Sequence, residues 1–284
     1  MGFGPGSLEN LVTTPLLSIV IPVRNGMPFI KEAIASALAE KEIPLEIIVR
    51  ENGSTDGTLE WLRTIDDERL SIAVSPDSIS AADNWTDVCR LARGRYVKIL
   101  CADDFVCEGG IKRQVDAALA HSGAVLVASP RRVVTEDGKT VFRSRGLRGM
   151  HLGEWAIRKA TLSGGNLFGE PSSVLFRADA LKQSLPFTGE FPYVTDLDMY
   201  VKALQHGSMV GLDTVDAGFR LSNSSWSQSI GVGQLHEYRS WLKSIEARGV
   251  VRRTRLEKLI AEFRLTVTFF ARRAVTTLSR LLRP

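Results

Sequence analysis

Cysteine is scarce in this chain: Cys89, Cys101 and Cys107 are the whole supply in 284 residues. Three thiols build no disulfide framework and their spacing matches no zinc motif, which excludes a stapled secreted scaffold and points to a reducing cytoplasm. Histidine is equally thin. The four residues are scattered, with no H-E-x-x-H, which argues against a histidine-rich metal site. Long apolar runs are missing too: the uncharged stretch Asn10 to Val23 is broken by Pro15 and Pro22 and is too short to cross a bilayer. The opening Met-Gly-Phe-Gly-Pro-Gly-Ser lacks the basic-then-apolar layout of a secretory signal, and residues 1–15 read as a tail.

What is present is ordinary for an ordered globular protein: 44% hydrophobic and 24% charged residues. The length suits one large domain with an appendage. The net charge of +4 conceals an asymmetry. From Arg248 onward there are ten Lys/Arg and two acids, a local +8, so the body carries −4. A mildly acidic body with a basic tail is not the footprint of a nucleic-acid binder.

Strand and helix signals alternate along the first half. Leu17 to Val23 is an apolar, β-branched strand ending at the turn Arg24-Asn25-Gly26, and Pro28 opens a helix with Ile30, Ala33, Ile34 and Ala37 on one face. Strands follow at Leu45 to Val49 and Leu70 to Val74, and a helix carries Ala82, Trp85, Val88 and Cys89 on one side. A fourth strand, Tyr96 to Leu100, ends at Asp103-Asp104. Such alternation predicts a parallel sheet covered on both faces. After about Ala128 the pattern changes to a hairpin around Asp137-Gly138, a glycine-rich loop from Ser163 to Pro171, a strand Ser173 to Phe176 and a helix opening at Tyr193 to Asp198. Beyond about His236 the spacing is helical to the end.

Paired carboxylates are rarely buried without a cation or a chemical task, and ligands of open α/β sheets bind beyond the carboxyl ends of the strands. Asp103-Asp104 falls there. The plain alternative is a loop in which one Asp caps the next helix and the other is solvated.

Four blocks follow in order: Ser18-Ile-Val-Ile-Pro-Val-Arg-Asn-Gly26, Glu51-Asn-Gly-Ser-Thr-Asp-Gly57, Leu100-Cys-Ala-Asp-Asp104 and Thr195-Asp-Leu-Asp198. Together they resemble the family 2 glycosyltransferases over about Leu17 to Ser229. The resemblance implies an α/β fold of GT-A type: a Rossmann-like, mostly parallel sheet flanked by helices, with a C-terminal helical appendage. It implies a nucleotide-sugar-binding half at 16–130, an acceptor-binding half at 131–230 and a helical segment at 231–284. The implied activity is inverting transfer of a sugar from a nucleoside diphosphate, UDP above all, to a hydroxyl of a glycan or lipid-linked saccharide, with Mn²⁺ or Mg²⁺. Hard oxygen ligands suit those ions.

By the same resemblance Asp103 is the metal ligand and Asp104 its neighbour at the nucleotide, while Pro22, Arg24 and Asn25 frame the base. Glu51 accepts hydrogen bonds from base or ribose, against the reading that it is a solvated turn residue. Asn84 touches the nucleotide or caps its helix. Asp196 is the general base, and Asp198 supports it. Cys101, Thr195 and Ser222 stand where the family pattern has Asp, Glu and His. For Cys101 plain packing is preferred to metal ligation. Trp226 stacks on a sugar or lies in the core. The C-terminal helix carries Leu256, Leu259, Ile260, Phe263, Val267 and Phe270 among arginines, a pattern that suits peripheral contact with the inner membrane face, dimerisation or folding back on the body. A nucleotidyltransferase and a catalytically inactive binding protein of the same fold are the alternatives.

Overall fold

The computed structural model describes residues 14–75, 77–222 and 233–281, the last ten of these as backbone only. Its centre is an eight-stranded sheet. Four parallel strands form one half: β1 (Leu17–Val23), β2 (Leu45–Glu51), β3 (Leu70–Val74) and β4 (Tyr96–Ile99), in the order β3-β2-β1-β4. Helices α1 (Ile30–Leu38), α2 (Thr58–Leu62) and α3 (Ala81–Leu91) make the crossovers. Alternate residues of β1 serve opposite faces, with Leu17, Ile19 and Ile21 packed with α1 and Val20 packed with α3. That double burial is why the strand reads as a continuous apolar run.

After β4 the chain leaves this sheet through Leu100–Asp104 and starts a second one at β5 (Phe105–Val106). Helix α4 (Gly110–Ala120) then leads back to β6 (Ala124–Ala128) of the main sheet. Strands β7 (Arg131–Thr135) and β8 (Thr140–Arg143) are the expected hairpin, with Gly138 at a φ of +82°. Next come β9 (Gly149–His151), α5 (Gly153–Ser163), β10 (Val174–Arg177), α6 (Ala178–Ser184), α7 (Thr195–Leu204), β11 (Ser208–Gly211) and β12 (Ala217–Leu221). The main sheet continues from β4 through β10, β6 and β11 to β9, with β10 and β9 antiparallel to their neighbours. The small sheet runs β5-β12-β7-β8 and abuts the main one at Asp103-Asp104.

Two helices close the described chain: α8 (Gly233–Ala247) and α9 (Arg255–Leu281). The helical segment expected here is two helices, the first ending before Gly249, which adopts a φ of +73°. Helix α8 inserts the fully buried Trp241 into the main core beside Tyr238 and Ile245. Helix α9 begins at a reciprocal cap, the Thr254 hydroxyl taking the Glu257 N–H (3.3 Å) while the Glu257 carboxylate takes the Thr254 N–H (2.8 Å).

Candidate active site

Asp103 and Asp104 stand where the main sheet hands over to the small one, and they do not share one environment. Asp104 is only 1% exposed. Its carboxylate accepts from the Ser172 hydroxyl (2.7 Å) and from the backbone N–H of Arg220 (3.1 Å). Burial, helped by the charge of Asp103, pushes its pKa up to about 8. Asp103 is less enclosed. Burial raises its pKa as well, and the Ser222 hydroxyl lies 3.4 Å from its Oδ2. Neither residue caps a helix or is simply solvated, so the plain loop reading fails.

Arg220 on β12 holds this loop. Its Nε donates to the Asp103 carbonyl (3.0 Å), its Nη1 donates to the carbonyls of Thr135 and Glu136, and its Nη2 pairs with Glu32. The guanidinium also lies over Phe29, 4.8 Å from the ring centre. Sequence reasoning passed over this residue, although a lone cation in an apolar strand was the available signal.

Beyond the ends of β1 and β2 two loops are laced together. Asn25 takes the Thr55 N–H on its Oδ1 (2.8 Å) and gives its own N–H to Ser54 (2.9 Å); Gly26 and Met27 donate to Thr58 (3.0 Å) and Asp56 (2.8 Å). Asn25 sits in the left-handed region at φ +55°, which asparagine tolerates. Arg24 is exposed at the tip, while Pro22 is buried inside β1 opposite Arg50. Glu51 is 1% exposed, and its carboxylate is folded onto its own turn, taking the N–H of Gly53 (3.2 Å) and of Ser54 (2.5 Å). It is no solvated charge. Asn84 is buried within α3, whose N-cap is Ser80. Its Nδ2 reaches the Arg50 carbonyl at 3.5 Å and its Oδ1 has no partner among the described residues.

The remaining candidate residues come from α7 and the glycine-rich loop between α5 and β10. Asp196, in the first turn of α7, takes the Leu197 N–H on Oδ1 (2.7 Å) and the Asn166 amide on Oδ2 (2.8 Å). Glu170, farther along the loop, pairs with Arg131. Gly169 between them has a φ of +100°, and a Cβ there would collide with the Ser173 hydroxyl. Trp226 lies outside the described residues.

Cys101 joins the two halves. Its sulfur and the Asp103 and Asp104 oxygens lie within 4.8 Å of one another. Burial raises the thiol pKa well above the ordinary value, and the charges of Asp104, Asp103 and Asp196 add to it. Two neighbouring carboxyls that repel one another, Asp104 buried and Asp103 half-buried, suit a hard cation, and Asp103 is the one less enclosed by the fold. Cys101 lines the same place, as a soft thiol poorly suited to Mg²⁺.

Comparison with known proteins bears on the family and the fold. The family described as Glycosyl transferase family 2 matches residues 18–185. An uncharacterized Mycobacterium tuberculosis protein is 22% identical over 70% of this chain and 66% of its own length. The putative teichuronic acid biosynthesis glycosyltransferase TuaG of Bacillus subtilis is 29% identical over 39% of this chain and 44% of its own. The chain thus spans less than two thirds of the length of these relatives. The crystal structure of S. aureus TarS 1-349 in complex with UDP-GlcNAc superimposes with a TM-score of 0.68 at 18% identity, covering 88% of this chain and 71% of that one. The fold is that of a GT-A enzyme.

Proposed function

Since the chain belongs to glycosyl transferase family 2, we propose that it moves a sugar from a UDP-linked donor, with inversion, to a hydroxyl of a glycan or lipid-linked saccharide. The observation that carries this reading is the meeting of Asp103, Asp104 and Cys101 just past the end of β4, their oxygens and sulfur within 4.8 Å of one another. Such a transfer needs a group to offset charge on the leaving diphosphate and a base for the acceptor hydroxyl, roles that Asp103 and Asp196 would fill. The acceptor oxygen attacks the anomeric carbon from the side opposite the diphosphate, and the bond to the diphosphate oxygen breaks, that oxygen keeping the electron pair. The hydroxyl proton passes to the Asp196 carboxylate, which Asn166 holds by its second oxygen. A divalent cation, Mn²⁺ or Mg²⁺, would neutralise charge on the departing diphosphate. Asp103 would hold it, with Asp104 and Arg220 fixing the loop beneath.

The nucleotide belongs at the laced loops after β1 and β2. Asn84, with an unspent buried acceptor, suits a base or ribose donor, and Arg24 and Asn25 suit the rim. The UDP donor is supported by TarS, a neighbour of the same fold whose structures hold UDP-GlcNAc and UDP. Family membership disfavours a nucleotidyltransferase. The test is a panel of nucleotide sugars incubated with the protein and Mn²⁺, with and without chelator, following release of nucleoside diphosphate. Metal-dependent UDP release from one sugar is expected; release from none, or release indifferent to chelator, overturns the reading.

A further inference from the structure

Helix α9 has two apolar faces, and only the narrower one is used by the fold. Ala261 and Leu265 are buried against α5. The seat is close: a Cβ on Gly164 would collide with the backbone of Leu265, and Arg264 donates to the Leu162 carbonyl (3.2 Å). On the other side Leu256, Leu259, Ile260, Phe263, Val267 and Phe270 all face solvent, Phe263 at 70% and Phe270 at 62% exposure. At 3.6 residues per turn these six fall within an arc of about 100°, directly opposite Leu265. A stripe of that width normally faces a core. Here nothing in the described fold covers it.

Charge selects what does. Both acids of the segment are turned to neighbouring helices, Glu257 to Arg158 of α5 and Glu262 to Arg239 of α8. Arg255 and Arg264 flank the exposed stripe on its two sides, and the segment from Arg248 onward carries a local +8. A second copy docking along this stripe would bring the flanking arginines of the two helices together, while the acid beside each of them, Glu257 and Glu262, is already paired within its own chain. An anionic lipid surface offers both halves of the match, apolar depth and a negative plane. Among the described residues no helix is long and apolar enough to cross a membrane, so α9 would lie along the surface.

We propose that the outward face of α9 docks on an anionic lipid surface, with Phe263 and Phe270 inserted below the headgroups and the flanking arginines at their level. This surface is independent of the transfer reaction. Because α9 is seated on α5, docking would hold α5 and the glycine-rich loop that follows it in a fixed orientation to the bilayer.

The experiment uses the full chain and two kinds of vesicle, phosphatidylcholine alone and phosphatidylcholine mixed with phosphatidylglycerol, with co-sedimentation as the readout. Wild type should sediment with the mixed vesicles, weakly with the neutral ones, and less as salt rises. The double variant Phe263→Ser/Phe270→Ser should bind the mixed vesicles at least about tenfold more weakly. Its thermal unfolding and its nucleotide binding should match wild type, since both rings lie outside the core. Equal binding by wild type and variant, or no preference for phosphatidylglycerol, overturns the proposal. So does a lipid-free wild-type dimer that the double variant converts to monomer, which would make the stripe a self-interface. Loss of sugar transfer plays no part in the readout.

Discussion

Asp196 and Asp198 stand two residues apart at the start of α7, and their carboxylates are held by different parts of the molecule. Asp196 faces the glycine-rich loop and Asn166. Asp198 is buried against the C-terminal segment, taking Trp241 Nε1 (3.0 Å), Arg248 Nη2 (2.8 Å) and, from its own helix, Lys202 Nζ (3.0 Å). Burial by itself would raise the Asp198 pKa, but Arg248, Lys202 and Trp241 outweigh it and hold the carboxyl below its ordinary range. Residues two apart on a helix point nearly opposite ways, so one short sequence serves both the cleft and the core.

Asp196→Asn should lower transfer by about 10²–10⁴-fold with UDP affinity nearly unchanged, since the amide cannot take a proton. Asp198→Asn should act on stability instead, losing about 1–3 kcal/mol by urea unfolding because two cations lose their buried partner. Full transfer activity in the Asp196 variant would move the base elsewhere.

The adjacent pair should also separate. Asp103→Ala removes a side chain with little structural work, so the melting temperature should stay near wild type while Mn²⁺-dependent UDP binding disappears from calorimetry. Asp104→Ala strands the Ser172 hydroxyl and the Arg220 N–H and should cost about 1–3 kcal/mol of stability. Retained metal-dependent binding in the Asp103 variant would remove it from the site.

For Glu51, substitution by Ala frees two backbone N–H groups of the turn after β2. A charge-assisted bond is worth about 1.5–3 kcal/mol, so both fold stability and UDP affinity should fall. Affinity that stays constant while stability drops would leave Glu51 as a turn anchor alone.

Lys98 offers a pH test in the core. It is fully buried in β4 with its Nζ donating to Gln114 Oε1 (2.8 Å), and burial lowers its pKa to about 8 from 10.5. Between those values the unfolded chain carries a proton that the folded chain has lost, so stability contributed by this group rises with pH through that window. Below about pH 8 both states are protonated and the burial cost is constant. Relative to Lys98→Met, wild type should therefore gain up to about 3 kcal/mol between pH 8 and pH 10.5 in urea unfolding. A difference that stays flat would mean the ammonium titrates normally in the fold.

Local signals were sufficient for the first half of the chain. Apolar runs of strand length, turn residues and helical spacing lie next to one another in sequence, and β1, β2, β3 and the hairpin at Asp137-Gly138 fall where those signals put them. Short strands such as β5, β9 and β12 were not legible, because two to five residues carry too little periodicity and pair only with partners far away. The position of Asp103-Asp104 at a strand end was visible in the sequence; which of the two is turned into the fold was not. That depends on Ser172 and Arg220, 68 and 116 residues away, and on the cost of burying a carboxylate without donors. The apolar stripe from Leu256 to Phe270 was written in the spacing of α9, but a helix has the same period whichever side meets protein. The seat at Gly164 decided that Leu265 packs inward and Phe263 outward, because there the backbones of α9 and the end of α5 approach too closely to admit a side chain.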